Sequence, residues 1–85
     1  MPRTRYEVEA GTRMRQLRKE RGLTLRDVEE ASVRNAKLRK NKKSVIRPSQ
    51  LSLIEHGKIP SIYRIATLSR IYNVSLKSLL SLYRV

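Results

Sequence analysis

A chain of 85 residues has room for one domain around a small core, and its lack of cysteine excludes a disulfide framework and a thiolate metal site. Lys and Arg number 20 against 7 Asp and Glu, a formal net charge of +13 that points to a polyanionic partner, nucleic acid or an acidic membrane surface. No apolar run approaches the roughly 18–20 residues that span a bilayer, and no apolar h-region follows the basic start, so the expected location is cytoplasmic.

Thr4 followed by Glu7 has the spacing of a capping box and predicts a helix from about residue 5. Val8, Gly11, Met14 and Leu17 recur at every third position as its apolar stripe, and Gly22 closes it. Thr24, with Asp27 three residues on, opens a second helix whose stripe is Leu25, Val28 and Ala31. That helix has no clear stop. Residues 33–40 contain neither Gly nor Pro, and Leu38 extends the stripe, so the helix is expected to reach about residue 40. Residues 41–44 read as a basic turn, and Val45-Ile46 as a short β-branched pair.

The segment 48–57 specifies a complete short helix. Pro48 suits the first helical position, Leu51 and Ile54 can share a buried face, and Gly57 supplies a stop. Ser49, Gln50, Ser52 and Leu53 fall on the other side. A face of short polar groups plus one amide, in so basic a chain, is what a major-groove reader requires. After a connector at 58–60, Ser61 caps a helix through Tyr72 with the stripe Ile62, Ile65, Leu68 and Ile71, and Asn73 ends it. Ser75 caps a last helix bearing Leu76, Leu79, Leu80 and Tyr83. The expectation is an all-α single domain of five helices over residues 1–85, with residues 1–5 as a basic arm.

Charge is unevenly spread. Residues 33–47 carry seven basic side chains (Arg34, Lys37, Arg39, Lys40, Lys42, Lys43 and Arg47) and no acid, directly before the candidate reading helix. Phe and Trp are absent and Tyr numbers only four, which weakens any single-strand binding based on base stacking.

The strings GLTLRDVEEAS, PSQLSLIEHGKIPS and IATLSRIYNVSLKSLL, in that order, resemble the helix-turn-helix domain of the lambda-repressor and Cro-type DNA-binding proteins over about residues 8–80. The resemblance implies a five-helix lambda-repressor-like fold and a salt bridge between Arg18 and Glu55, the only acid after residue 30. It assigns base contacts to Arg47, Ser49, Gln50 and Leu53. Gln can bond adenine N6 and N7, Arg can bond guanine O6 and N7, and Leu53 can touch a thymine methyl; its other placement is in the core. Phosphate contacts fall to Thr24 and Arg26 at the second helix, and to Ser52, His56, Lys58, Ser61, Tyr63 and Arg64 along and after the reading helix. One histidine without cysteine or an acid cluster does not make a zinc site.

Two departures mark this chain. The second helix of such proteins often begins with a Gln that braces the reading helix; here Leu25 stands in its place. The two helices of the motif are commonly joined by three or four residues, whereas the stretch 33–47 has fifteen. This basic insertion has two open readings: a solvated charged loop, or a surface that brings Lys40, Lys42 and Lys43 to the DNA backbone. Arg3 and Arg5 stand as an arm for a phosphate or the minor groove.

The expected function is sequence-specific binding of double-stranded DNA, as a transcriptional regulator. Operators of such proteins commonly hold two half-sites read by a homodimer, for which Leu82 and Val85 are candidate contacts. The alternative is an antitoxin-like or assembly-factor module that docks a protein. No enzyme activity, cofactor, metal, small-molecule ligand or membrane role is expected.

Overall fold

The computed structural model describes residues 4–83, which form five helices: α1 (Arg5–Glu20), α2 (Leu25–Arg39), α3 (Pro48–Glu55), α4 (Ile62–Tyr72) and α5 (Leu76–Leu82), with a 3₁₀ turn at Lys42–Ser44. No strand forms among the described residues, and none of their helices is long and apolar enough to cross a membrane. Arg3 and Val85 lie outside the described residues.

Local chemistry starts each helix. Thr4 and Glu7 form a reciprocal capping box on α1, and Thr24 and Asp27 form another on α2. Ser61 and Ser75 cap α4 and α5 through their hydroxyls. Each such cap stabilises its helix by about 1 kcal/mol. At the other ends, Lys40 and Asn73 both adopt the left-handed conformation at φ 53°, as Gly22 does at φ 66°. α3 stops at Glu55, one residue before the expected end, with His56 as its cap.

One core joins all five helices and the insertion. It comprises Met14, Leu17, Val28, Ile46, Leu51, Ile54, Ile65, Leu68, Tyr72 and Leu79. α3 packs against both α1 and α2, while α4 packs on α2 and α5. At the α1–α3 contact, a Cβ on Gly11 would lie 2.7 Å from the Glu55 carbonyl oxygen and 2.8 Å from both the Ile54 carbonyl oxygen and the Gly57 nitrogen. Only glycine lets the backbone at the end of α3 approach so closely.

The buried faces differ from the expected stripes in one consistent way. Val8 is 47% exposed while Ala10 is buried, Ile62 is 52% exposed while Tyr72 is buried, and Leu38 is 83% exposed. In α2 Val28 is buried as expected and Leu25 packs half-buried against the core, while Ser32 and Ala36 are buried where Ala31 is only half-buried. At about 100° per residue, a strict spacing of three drifts by about 60° at each step, so residues nine apart face opposite sides. Burial mixes threes and fours in α1 (Ala10, Met14, Leu17) and α4 (Ile65, Leu68, Tyr72) and runs in fours in α2 (Val28, Ser32, Ala36), which turns Val8 and Ile62 outward.

The insertion is built into the fold. Residues 33–39 continue α2, so the helix makes up nearly half of the stretch. Asn41 then accepts a bond from the Lys43 amide through its side chain, 3.0 Å, an Asx turn that shapes the 3₁₀ segment. Ile46 is fully buried, and its N–H donates to the Ser32 hydroxyl at 2.9 Å. The Arg64 guanidinium donates to the Val45 carbonyl at 3.3 Å, and Lys43 lies 5.2 Å from the centre of the Tyr63 ring. These contacts order the backbone of the segment, while its seven basic side chains are exposed. Arg5, expected in an arm, is the first residue of α1 and pairs with Glu9 at 3.0 Å.

Candidate nucleic-acid interface

The anchor of α3 is a buried ion pair. Arg18 Nε donates to Glu55 Oε2 at 2.7 Å and its terminal nitrogen to Oε1 at 3.0 Å, a two-bond geometry, while another guanidinium nitrogen donates to the Leu23 carbonyl at 2.9 Å. Both residues are under a tenth exposed. Hydrogen bonding to Glu55 raises the Arg18 pKa above its ordinary value against the opposing cost of burial, so the guanidinium stays charged. The pair ties the end of α3 to α1 and the α1–α2 turn.

Leu51 and Ile54 are buried, and the opposite side of α3 is open: Ser49 is exposed, Leu53 is 46% exposed, and Gln50 and Ser52 are half-buried. Of the two placements open for Leu53, the surface one is realised. Eight residues make a rod about 12 Å long, matching a major groove about 12 Å wide.

At the start of α3, Gln50 turns back and accepts the Arg47 amide N–H at 2.9 Å. The carboxamide oxygen keeps a second lone pair, and the amide nitrogen has no partner among the described residues. The bond therefore fixes which way the amide points while leaving both of its atoms able to engage a base. Arg47 is exposed, and its guanidinium donates to Glu29 Oε2 at 3.1 Å.

An open cleft of about 330 Å³ unites Arg47 and Gln50 with Lys42, Val45 and Arg64. It brings three cations, from the insertion, the start of α3 and the first turn of α4, around the candidate base-reading amide. The helix starts add the partial positive charge of their unpaired N–H groups. Lys40 and Lys43 are exposed on the same insertion, and Tyr63, 41% exposed, carries the Lys43 ammonium over its ring.

Other predicted phosphate contacts stand elsewhere. Thr24 and Arg26 are exposed at the start of α2 and do not line the cleft. The Thr24 hydroxyl accepts the Asp27 amide at 3.0 Å, and the Asp27 carboxylate accepts the Thr24 amide at 2.9 Å. Hydrogen bonding of the Asp27 carboxylate to Thr24, by its backbone N–H first and by its side chain second, lowers the Asp27 pKa below its usual carboxylate value. Lys58 and Ser61 are exposed after α3. His56 is exposed, and its Nδ1 donates to the Ser52 carbonyl at 2.7 Å, closing the end of α3. Among the described residues no cluster of three or more His, Cys, Asp or Glu forms a metal-holding group.

Glu29 is the residue that sequence reasoning missed. Eighteen positions separate it from Arg47, and no local pattern links them. Asn41 was recoverable, because its side chain caps a residue two positions on, the usual reach of an Asx turn.

Residues 11–85 match the family described as a helix-turn-helix domain. The chain belongs to that family. Comparison with curated proteins and with solved structures gives no match. Helix-turn-helix domains are typically non-enzymatic DNA-binding modules, so membership implies DNA as the partner.

Proposed function

We propose that this helix-turn-helix domain is of the lambda-repressor and Cro type, binds duplex DNA sequence-specifically and acts as a cytoplasmic transcriptional regulator. The observation that carries the reading is the open side of α3, where an oriented Gln50 amide and the Arg47 guanidinium share one cleft with Lys42 and Arg64. Arg47, Ser49, Gln50 and Leu53 face base edges. Thr24, Arg26, Lys40, Lys42, Lys43, Ser52, His56, Lys58, Ser61, Tyr63 and Arg64 supply phosphate contacts that set register without reading sequence. The density of cations beside α3 argues mildly for DNA over a protein partner, since a purely protein-facing surface would not need that density.

Selection from a random duplex library on this polypeptide tests the reading. An enriched motif is expected, and a two-fold symmetric one identifies a homodimer on paired half-sites. Gln50→Ala should cost about 1–3 kcal/mol on the selected site and much less on random duplex. A library that returns no preferred sequence overturns the proposal; equal losses on both duplexes remove Gln50 from the reading face.

A further inference from the structure

Arg47 is held at three points. Its own amide is bound by Gln50, the preceding Ile46 amide is fastened to Ser32 on α2 at 2.9 Å, and its guanidinium meets Glu29, also on α2, at 3.1 Å. The Ser32 hydroxyl in turn donates to the Glu29 carbonyl at 2.7 Å, so one turn of α2 holds both the main chain entering Arg47 and its side-chain tip. An arginine side chain 63% exposed would otherwise sample many rotamers.

The two partners sit at different depths. The Glu29 side chain is 21% exposed, so the carboxylate lies recessed behind the guanidinium. The contact uses one terminal nitrogen, and among the described residues the rest of the guanidinium has no partner. The Nε edge and the second terminal nitrogen remain able to donate two parallel bonds, the geometry that guanine O6 and N7 accept.

From this arrangement we infer that Glu29 is a positioning residue for base reading: it fixes the Arg47 guanidinium in a pose that selects guanine, and does not itself touch DNA. The inference rests on the DNA-reading function proposed above. It has an uncommon signature, because a carboxylate near a polyanion should weaken binding overall. Removing the Glu29 charge therefore acts in opposite directions on two observables: general affinity for duplex rises, while discrimination at one base pair falls.

The test compares wild type, Glu29→Gln, Glu29→Asp, Arg47→Ala and the double variant Glu29→Gln/Arg47→Ala. Each is measured on the selected site, on its three single-base substitutions at every position, and on random duplex, with the thermal midpoint of each protein recorded. Arg47→Ala should flatten the preference for guanine at one position. Glu29→Gln should lower discrimination at that same position about tenfold, with random-duplex affinity equal or higher and the thermal midpoint little changed. Glu29→Asp keeps the charge but shortens the reach, so it should lose discrimination as Glu29→Gln does. In the Arg47→Ala background the Glu29 change should have no further effect on base preference.

A Glu29→Gln profile identical to wild type overturns the inference, as does a Glu29→Asp profile identical to wild type, which would reduce Glu29 to bulk charge. Loss of preference at a position that Arg47→Ala leaves intact overturns it too. Absence of any base preference in the wild type is a different result, and defeats the proposed function itself.

Discussion

Glu55 and Arg18 make the most consequential pair at the scale of single residues. Truncating Glu55 to Ala strands a guanidinium that is 6% exposed and has only the Leu23 carbonyl left. Breaking one partner of such a buried pair costs about 3–5 kcal/mol, a large share of the stability of a domain this small. Glu55→Ala is expected to lower the urea midpoint accordingly, and an unchanged midpoint would mean the pair contributes nothing. Asp27 acts more gently and with a pH signature. Its pKa is lowered in the folded chain, so its stabilising effect is complete above the ordinary carboxylate value and is lost as pH falls through the lowered one. Stability curves of Asp27→Asn and wild type should therefore differ at neutral pH and converge in acid; parallel curves down to strong acid would refute the cap's role.

Helix positions were legible in the sequence because their determinants are local. A threonine or serine three residues before a hydrogen-bonded amide starts α1, α2, α4 and α5, and Pro48 with Gln50 starts α3. Which side of each helix is buried was less legible, since that depends on what packs against it. Ser32 is buried because the Ile46 amide needs its hydroxyl, and Thr67 because it bonds the Tyr63 carbonyl and meets Asn35. Polar residues with internal partners do not announce themselves in a hydropathy pattern. Gly11 makes the same point for helix packing. Alanine at a helix interior is normally favoured over glycine by about 1 kcal/mol, yet here its Cβ would collide with the backbone ending α3. Gly11→Ala is expected to destabilise the chain by about 2–3 kcal/mol and to weaken DNA binding by pushing α3 aside. A rise in thermal midpoint would show that α1 and α3 are not so closely seated.

Over the whole molecule, the cleft joins Lys42 and Arg47, which are near each other in sequence, with Arg64 from α4, and only folding assembles the three. Arg47 and Gln50 were identifiable from the helix they begin, whereas their grouping with Arg64 depends on how α4 crosses α2. The insertion's charge was visible, its order was not, because the bonds that hold it run to Ser32, Tyr63 and Arg64. Changing Lys40, Lys42 and Lys43 together to Gln should reduce affinity for all duplex sequences alike. The slope of log K against log salt should flatten by up to about 0.9 for each lysine that meets a phosphate. An unaltered slope would assign those lysines to solvent.

Because the insertion is fastened at both ends before any DNA arrives, its charges do not need to be gathered at the moment of contact. A dangling tail must surrender its freedom each time it binds and release it each time it leaves. This segment surrendered that freedom once, when the chain folded. On the DNA-binding function proposed above, encounter with a duplex needs no ordering of this main chain, and only the exposed lysine side chains have freedom to lose against the gain from displaced counterions.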